Sequence, residues 1–547
     1  MFKNNQSLNW ILKNSKPHVL KLIALTVIGC LMSVLSIMFA LVSKDVIDAA
    51  TGVNDKIFSN EVIKLVIFLV IQLIFQSVLA VVYNMTVGKI KMTLKSNLFD
   101  TILKKDWLSI NKYHTGELST RLTSDINIIA DSITDIVPSF LTLSTSIVLG
   151  IVTLYKLEPT FALICLCVGP VIIIAARFYR KKFKALHKEY QETDGITRSF
   201  MQDSLKSTLV IKSFQNEGKI ISILNNLQLK NFKISVKRNN VSILANILFY
   251  ISVNAGYYLA IAWGAYRIST DAISFGTLTA MLNLIGDAVT PFKSISSLFP
   301  KFYQTLASAE RIMEVEDLPD DESENETLTD FSNFESININ NVDFSYNEEV
   351  NVLKDFSLRI NKGDFVAING RSGIGKSTLL KLMLGIIKPQ NGNLTAYINN
   401  EEIIIDKSTR GLFSYVPQGN MILTGTIKEN IAFMTDNIDE KRIKESAKIA
   451  EIWDVIKDLP NGLDTKLGED GMGLSEGQIQ RLAIARAIYH GSKILLFDEA
   501  TSALDKTTEL RILSNIRALN EKTLIIVSHR EEVLKFCSIN INIGVDK

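Results

Sequence analysis

The sequence predicts a polytopic α-helical membrane domain followed by a soluble α/β domain. Six apolar runs, each long enough at roughly 20 residues to cross a bilayer, crowd the first part of the 547-residue chain. From about residue 331, short apolar strand patterns alternate with helical ones, which is typical of a largely parallel sheet. We therefore expect a transmembrane domain at 1–310, an acidic linker at 311–330 and a soluble domain at 331–547.

Composition excludes several classes of protein. Lys and Arg total 59 against 57 for Asp and Glu, so no nucleic-acid partner is expected. The four cysteines form no CxxC pair and no metal spacing with the five histidines, and we expect them to be small buried hydrophobic residues. The first apolar run is too long for a secretory signal and is followed by further spans.

Six transmembrane helices are predicted in the first half. A large all-helical soluble core is the alternative, but six runs of this length disfavour it. The predicted spans are Val19–Val42, Val62–Val82, Ile133–Leu154, Pro159–Phe178, Val241–Tyr266 and Ile273–Phe299.

Two long polar stretches separate the spans, Gly88–Ser132 and Tyr179–Asn240. The second is rich in Lys and Arg, whereas the short connections carry few positive residues, so the positive-inside rule places the long loops and both termini in the cytoplasm of a plasma-membrane protein. Helix formers dominate Lys89–Lys105 and Arg180–Met201. We expect the spans to extend into the cytoplasm and turn back through short connections able to dock on a soluble domain.

The acidic stretch Glu314–Asp330 is predicted to connect the halves as a solvated linker. Strands are expected beyond it, with helices between them. The strand patterns are Ser336–Phe344, Phe356–Ile360, Asp364–Asn369, Leu412–Val416, Lys493–Phe497, Thr523–Ser528 and a last one near Ile539–Gly544.

The stretch GRSGIGKST fits the phosphate-loop pattern of Gly, four free positions, Gly, Lys and Ser or Thr. Its backbone N–H groups can cradle phosphate oxygens, Lys376 can reach the outer phosphates, and the Ser377 hydroxyl can ligate Mg²⁺. A strand before it and a helix, Ser377–Ile387, after it disfavour an ordinary glycine turn. The candidate nucleotide-binding residues are Gly370, Arg371, Ser372, Gly373, Ile374, Gly375, Lys376, Ser377 and Thr378.

The apolar strand ILLFDE, Ile494–Glu499, ends in two carboxylates. Asp498 is placed to hold Mg²⁺, and Glu499 is placed to accept a proton from an attacking water. The alternative is that these acids merely favour a helix N-terminus, which is weaker in a domain that already has a phosphate loop.

LSEGQ, Leu474–Gln478, precedes a predicted helix at Ile479–Tyr489. The Ser475 hydroxyl and the Gly477 N–H lie at a helix start, where a phosphate can bind. Because the domain already has one phosphate loop, two such sites suggest that two domains share each nucleotide.

Six motifs together resemble a half-transporter of the ATP-binding cassette (ABC) exporter family, over nearly the full chain. In order they are GRSGIGKST, YVPQ at Tyr415–Gln418, LSEGQ, ILLFDE, SALD at Ser502–Asp505 and SHR at Ser528–Arg530. In the membrane half, the family's two cytoplasmic loops and its exit from span six are resembled by His114–Asp125, Ser207–Glu217 and Ala307–Ile312.

The resemblance implies a P-loop ATPase domain that uses ATP and Mg²⁺, with Lys376, Gln418, Glu499 and His529 as catalytic residues. The implied roles are adenine stacking by Tyr346, Mg²⁺ contact and γ-phosphate sensing by Gln418, closure on the partner's ATP by Ser475, Gly477 and Gln478, catalysis by Glu499, an inter-site loop at Asp505 and a γ-phosphate switch at His529. Two departures are noted. Glu476 replaces the first glycine of the commonest signature, LSGGQ, and the chain ends 18 residues after His529, so the family's tail helices are expected to be missing.

The implied function is ATP-driven export by alternating access, with two ATP molecules sandwiched between the soluble domains of a dimer. A homodimer is favoured, and a heterodimer stays open. The cargo is a peptide, a drug-like amphiphile or a lipid. A non-transporting membrane sensor is the alternative, as is an importer subunit, although importers usually place the two domains on separate chains.

Cargo recognition is assigned to polar side chains within the spans. Asp287 lies near the middle of span six, where a carboxylate is costly unless it faces a cavity or a partner. A structural hydrogen bond between helices is the competing interpretation. Polar residues that could complete a cavity wall are Gln76 and Asn254, together with Gln72 and Asn246.

Overall fold

The chain forms two compact units in a computed structural model. One comprises Met1–Leu103 and His114–Asp317, and the other comprises Lys104–Tyr113 and Leu318–Lys547. The structure describes residues 2–323, 328, 330–346, 351–419, 422–433, 435, 437–468 and 473–543. Only the backbone is described at 2–4, 164–181, 184, 245, 246, 248, 249, 252, 253, 255, 288, 289, 293 and 296.

Helices provide the regular structure of the first half. They are α1 (Phe2–Ser15), α2 (Val19–Ala50), α3 (Phe58–Lys104), α4 (Trp107–Ile110), α5 (Thr115–Thr120), α6 (Ile126–Leu157), α7 (Pro159–Lys206), α8 (Thr208–Ser213), α9 (Glu217–Ser269) and α10 (Phe275–Glu316). The longest, α9, has 53 residues and so measures about 80 Å, against about 30 Å for the hydrocarbon core of a bilayer. The predicted helical extensions are therefore confirmed.

Three helical stretches within the described residues are long and apolar enough to cross a membrane: Asn5–Ala50, Phe58–Lys104 and Thr115–Leu157. They contain the first three predicted spans. The other three predicted spans lie in α7, α9 and α10, and each includes residues whose side chains fall outside the description.

An apolar cluster packs α2, α6, α7, α9 and α10 near the short connections between helices. Its buried members include Ile37, Leu154, Phe161, Met281 and Leu284. Each is at most 6% exposed, so this end of the first unit is closed by packing.

The opposite end of the first unit is held by charge. Asp125 is 1% exposed, and it accepts hydrogen bonds from Arg311 Nε at 2.9 Å and Ser308 Oγ at 2.9 Å. The buried Arg121 donates to the Arg311 carbonyl at 2.5 Å and pairs with Glu314 at 3.3 Å. A π-helical turn at Arg121–Asp125 brings both residues onto the last turns of α10.

Two sheets form the second unit. The strands are β1 (Phe334–Ser345), β2 (Asn351–Asn361), β3 (Phe365–Asn369), β4 (Asn391–Ile398), β5 (Glu401–Ile404), β6 (Phe413–Val416), β7 (Gly425–Thr426), β8 (Lys466–Leu467), β9 (Ile494–Asp498), β10 (Thr523–Val527) and β11 (Ile539–Asn542). Five of them form a parallel sheet in the order β11-β3-β10-β9-β6.

Helices flank the strands of this unit. They are α11 (Lys376–Met383), α12 (Ile427–Ala432), α13 (Glu440–Ile449), α14 (Trp453–Asp458), α15 (Glu476–His490), α16 (Lys506–Arg517) and α17 (Glu531–Phe536). One core cluster contains Leu495 and Phe497 of β9 together with α15 and α16, and the other contains Leu496 of β9 together with α11. The central strands are thus buried on both faces, as parallel strands usually are.

The largely parallel sheet that the sequence predicts is correct for one sheet only. A second sheet is antiparallel, in the order β2-β1-β4-β5. The helix predicted to reach Ile387 ends earlier, at Met383, because Gly385 adopts a φ of +60° and its N–H and that of Ile386 bond back to helix carbonyls.

The short helix α4 belongs to the second unit although its sequence lies between α3 and α6. Trp107 and Leu108 pack against the core beside α11, and the Lys381 ammonium lies 4.6 Å from the centre of the Trp107 ring. The Asp106 side chain caps α4 by accepting from the Ser109 N–H at 3.0 Å. This connection between spans packs within the second unit, and the sequence predicts such docking.

Candidate functional site

The phosphate loop joins β3 to α11. Gly373 and Gly375 have φ values of +82° and +111°, which residues with a Cβ rarely adopt, and a Cβ on Gly375 would lie 2.5 Å from the Val352 side chain. Lys376, 6% exposed, folds its ammonium into the loop and donates to the carbonyls of Gly370 at 2.8 Å and Arg371 at 3.1 Å. The loop therefore holds a cation at its centre.

The other loop residues split by exposure. Arg371 and Ser372 are exposed, whereas Ile374 is half-buried and packs against the apolar core. Thr378 is buried and its Oγ1 lies 3.1 Å from the Tyr346 hydroxyl. The Tyr346 ring meets Phe344 edge-on at 5.0 Å and is 50% exposed, which leaves it a free face beside the loop.

Asp498, at the end of β9, is 2% exposed and is held by two hydroxyl groups. Ser377 Oγ donates to it at 3.0 Å, and the Tyr415 hydroxyl donates to its other oxygen at 3.1 Å. Burial raises the pKa of Asp498, and the two hydrogen bonds oppose that rise. Burial and the Asp498 charge raise the pKa of Tyr415, so it remains a hydrogen-bond donor.

Glu499 follows Asp498 with a φ of +51°, a conformation that strains a residue with a Cβ and is common at functional sites. Gln418 Nε2 donates to Glu499 at 2.8 Å. His529 Nε2 lies 3.8 Å from the other Glu499 oxygen, and His529 Nδ1 lies 2.8 Å from Asn369 Oδ1. The two neighbours therefore fix the direction of the Glu499 carboxylate.

Sheet order explains why these side chains meet. Asn369 ends β3, and His529, Glu499 and Gln418 follow β10, β9 and β6. These four strands are adjacent in the order β3-β10-β9-β6. All four strands are parallel, so their carboxyl ends lie at one edge, where α/β sheets bind ligands.

The signature segment starts α15 with a capping box. The Gln478 N–H donates to Ser475 Oγ at 3.3 Å, and the Ser475 N–H donates to Gln478 Oε1 at 2.8 Å. A Cβ on the half-buried Gly477 would lie 3.0 Å from the Ala503 carbonyl. In the part of the chain that the structure describes, no hydrogen bond or ion pair joins Ser475, Gly477 or Gln478 to the phosphate loop.

Asp505 caps α16 and accepts from the Thr508 N–H at 3.0 Å. Hydrogen bonds from Thr507 and Thr508 lower the pKa of its carboxyl. The neighbouring Arg530 donates to the Leu504 carbonyl and to the fully buried Glu509, each at 2.8 Å. These bonds fasten the SALD and SHR segments to each other.

The membrane-half candidates do not come together. Ser36 Oγ donates to Asp287 at 2.8 Å, whereas Asn254 bonds the Tyr250 carbonyl of its own helix at 2.8 Å and Gln76 lines a separate cavity. No hydrogen bond among the described side chains joins the three, and the Asn246 side chain lies outside the description.

Two site residues had no assignment from the sequence. Tyr415 stands in the YVPQ motif, yet only its contact with Asp498 identifies it as part of the site. Asn369 ends a buried strand and accepts from the Gly370 N–H at 2.8 Å as well as contacting His529. A polar residue at the end of an apolar strand was the available signal for Asn369.

These residues fit ATP with Mg²⁺. The loop offers an ammonium group and a helix N-terminus to phosphate. The hydroxyl of Ser377, the carboxylate of Asp498 and the amide of Gln418 are oxygen donors, which Mg²⁺ prefers. No ion pair involves Asp498 among the described side chains, so a divalent cation would compensate a buried charge.

Family models match both halves of the chain. The family model of the ABC transporter transmembrane region matches residues 20–291, and that of the ABC transporter matches residues 353–502. A probable ABC transporter ATP-binding/permease protein of Haemophilus influenzae is 32% identical over 472 residues, covering 83% of this chain and 83% of that protein.

Two further proteins are similar. An ATP-dependent lipid A-core flippase of Desulfotalea psychrophila is 29% identical over 437 residues, covering 79% of this chain and 76% of that protein. The solved structure of a bacterial Atm1-family ABC exporter with ATP bound has a TM-score of 0.77 at 24% identity, covering 97% of this chain and 94% of that one. This structural likeness supports the fold.

Proposed function

Because this chain belongs to the ABC transporter family, in which it is an ATP-binding/permease protein, we propose that two identical copies form an exporter of amphiphilic cargo. The chain binds and hydrolyses ATP, couples hydrolysis to transport and resides in a membrane. The proposals below concern the number of copies in the exporter, the roles of the site residues, the orientation of the chain in the membrane and the class of cargo.

The separation of the signature from the phosphate loop carries the proposal of two copies. Ser475 and Gln478 form hydrogen bonds with each other. Neither forms a described hydrogen bond or ion pair with the phosphate loop that contains Lys376. A second copy can bring its signature to this loop and enclose ATP between the two. A second gene product could do the same, which leaves the heterodimer as the other candidate.

Within each shared site the residues have distinct tasks. Lys376 and the loop N–H groups hold phosphate oxygens, and Ser377, Asp498 and Gln418 would hold Mg²⁺, which neutralises phosphate charge when bound. Glu499 accepts a proton from the attacking water, while Gln418 and His529 hold its carboxylate in position. Tyr346 presents its free ring face to the adenine.

Closure of the two copies on ATP is the step that moves cargo. The docked α4 contacts α11, which begins at the phosphate loop, so a movement of the loop reaches the connection between α3 and α6. Binding ATP to one arrangement better than to another then shifts the membrane half between two states. We place the soluble units and both termini on the cytoplasmic side of the plasma membrane, since the long polar stretches are rich in Lys and Arg.

Amphiphiles are the cargo class that the relatives support, because one of them is named as a lipid A-core flippase. Peptides and lipids both fall in this class. The alternative of a non-transporting sensor is less well supported, because Glu499 and His529 are both present and meet. Movement of cargo driven by ATP in vesicles would separate the two.

A mixing experiment tests the shared site. Lys376→Ala disables the phosphate loop and Ser475→Arg disables the exposed signature, so each variant alone should lack ATPase activity. In a mixed dimer one site keeps an intact loop and an intact signature, so co-reconstituted variants should recover a measurable fraction of wild-type activity. An inactive mixture, or a well-folded wild-type chain that needs a second gene product, overturns the homodimer.

A further inference from the structure

A cavity of about 640 Å³ lies within the first unit, between α2, α3, α6 and α10. This volume is within the range of roughly 300–1,000 Å³ typical of ligand sites. Hydroxyl, amide and charged groups line it together with apolar side chains; they include Gln76, Tyr83, Asn84, Ser139, Asp135 and Lys301. The lining is therefore amphipathic.

The cavity is closed at one end and charged at the other. Gly29 of α2 faces Thr142 of α6 so closely that a Cβ on Gly29 would lie 2.3 Å from the Thr142 hydroxyl oxygen, and the apolar cluster fills the unit beyond this crossing. Asp135 and Lys301 lie toward the end from which the helices extend past the predicted spans. A ligand with a polar head and an apolar body would match this gradient.

The charged end of the cavity carries one positive and one negative side chain, which pair with each other. Lys301 Nζ donates to Asp135 at 2.6 Å, and Ser139 Oγ donates to the other Asp135 oxygen at 2.6 Å. The Lys301 side chain is 53% exposed and that of Asp135 is 25% exposed, so both are accessible. They are the only charged residues among those that line the cavity within the described part of the chain.

An accessible ion pair with no net charge discriminates among ligands by the charges of their head groups. An anionic head would gain Lys301 but meet the Asp135 carboxylate, and a cationic head would meet the ammonium. A head with one ammonium and one anionic group can pair with both residues at once, because its two charges replace the internal partners. Opposite charges so matched favour one ligand class over its singly charged relatives.

We propose that this cavity binds the head of a zwitterionic amphiphile, with Asp135 receiving its ammonium group and Lys301 its anionic group. The assignment rests on the proposed function, since it names the class of amphiphile that the exporter accepts. Phospholipids with an ethanolamine head and lipidated amino acids with free amino and carboxyl groups share this chemistry.

A second ion pair provides a matched control. Lys91 and Asp131 join α3 to α6 at 2.8 Å, one helical turn from Asp135, and neither lines the cavity. Replacing Lys91 removes an ion pair between helices without altering the cavity lining, so it separates loss of a ligand contact from loss of helix packing.

Binding is measured on the full chain in phosphatidylglycerol nanodiscs, with acyl-labelled lysophosphatidylethanolamine and Nα-lauroyl-lysine as zwitterionic probes. Labelled lysophosphatidylglycerol and dodecylamine are the singly charged comparisons. Wild type should bind at least one zwitterionic probe about tenfold more tightly than either comparison. Lys301→Met and Asp135→Asn should each remove most of that preference, whereas Lys91→Met should keep it.

A labelling experiment covers the case in which the charge variants fold poorly. Ser297→Cys places an exposed thiol on the cavity wall, and the zwitterionic probe should slow its reaction with maleimide, measured above the background of the wild-type chain. Three results would each overturn the proposal: equal affinity for all four probes, equal effects of Lys91→Met and Lys301→Met, or a maleimide reaction of the Ser297→Cys variant that the zwitterionic probe does not slow.

The two zwitterionic probes identify the source of the ligand. Preference for lysophosphatidylethanolamine indicates a phospholipid, and preference for Nα-lauroyl-lysine indicates a lipidated peptide. Selective binding without ATP-driven movement in vesicles would refute export but keep the cavity. Export without zwitterion-selective binding would refute the cavity assignment alone.

Discussion

Asp125 in the first unit and Asp498 in the second are almost equally buried, at 1% and 2% exposure, but their surroundings differ. Asp125 receives the Arg311 guanidinium and the Ser308 hydroxyl. Asp498 receives two hydroxyl groups, from Ser377 and Tyr415, and no ion pair within the described residues. One charge is neutralised inside its unit and the other is not.

The presence or absence of an ion-pair partner distinguishes a carboxylate that stabilises the fold from a carboxylate that binds a ligand. A buried charge costs several kcal/mol unless a partner compensates it, so Asp125 with Arg311 fastens the start of α6 to the end of α10. Asp498 has hydrogen bonds that hold its position but forms no ion pair with any residue that the structure describes. Its free energy falls when a cation arrives, which couples the second unit to its ligand.

The largest expected effect is on hydrolysis. Glu499→Gln removes the carboxylate that Gln418 and His529 hold in position, and loss of a general base typically costs about 10²–10⁴-fold in rate. ATPase activity should fall by this amount while binding of a fluorescent ATP analogue and the melting temperature stay as in wild type. Turnover within a few-fold of wild type would contradict the assignment.

Asp125→Asn tests the structural side of the comparison. Asp125 is buried but the Arg311 side chain is 45% exposed, so the loss is that of charged hydrogen bonds, about 1.5–3 kcal/mol, and the variant should melt below wild type with ATP affinity unchanged. Glu192→Gln is the control, because Glu192 pairs with Lys188 at 3.7 Å on an exposed surface and such pairs contribute about 0–1 kcal/mol. Equal melting temperatures for the two variants would show that burial does not distinguish these pairs.

Asp498→Asn should change the free energy of unfolding in the opposite direction and stabilise the second unit. Burial raises the pKa of Asp498, and a raised folded-state pKa contributes stability at low pH that is lost as the pH rises through that value. At neutral pH the buried charge therefore opposes folding when Mg²⁺ is removed. The variant should be more stable than wild type by about 1 kcal/mol in chelator at pH about 7.5, and the gain should shrink toward pH about 4.

The exposed Asp458→Asn serves as the control for that measurement. It changes the same number of charges at the surface, where no desolvation cost exists, so its melting temperature should follow wild type at both pH values. If Asp498→Asn is less stable than wild type at neutral pH without Mg²⁺, the hydrogen bonds of Asp498 outweigh its burial and the comparison fails.

The sequence predicts the second unit's site better than the first unit's contacts for a physical reason. Glu499, Gln418 and His529 each follow a short apolar strand, and parallel strands bring such residues to one edge without further information. The contact of Tyr415 with Asp498 was not predicted, because strand periodicity gives the face of a side chain but not its partner on the next strand.

Contacts between distant helices were also beyond the sequence. Lys301 bonds Asp135 across 166 positions and Arg121 bonds the Arg311 carbonyl across 190. Helical periodicity identifies an apolar face, but the crossing of two helices determines which polar residues meet. The antiparallel pairing of β1 with β4 was not predicted for the same reason. The two strands are far apart in the chain, so the sequence does not indicate which residues pair.

Asp287 gives the most direct test of the comparison. It lies in the first unit, but like Asp498 it is a carboxylate that accepts from a hydroxyl group. It is half-buried, and it accepts from the Ser36 hydroxyl at 2.8 Å without an ion pair among the described side chains. If such carboxylates mark binding sites, Asp287→Asn should keep its melting temperature but lower cargo-stimulated ATPase by about fivefold, which corresponds to the loss of about 1 kcal/mol of hydrogen-bond energy.

Ser36→Ala completes the test as a double-mutant cycle. Removing the hydroxyl leaves the Asp287 carboxylate without its donor, so the single variant should melt earlier than wild type, and the loss should be smaller in the Asp287→Asn background. If Asp287→Asn itself melts earlier and responds normally to cargo, Asp287 joins helices α2 and α10 in the way that Asp125 joins α6 and α10. The cargo role would then be wrong, because a side chain that only ties helices together changes stability and not the response to ligand.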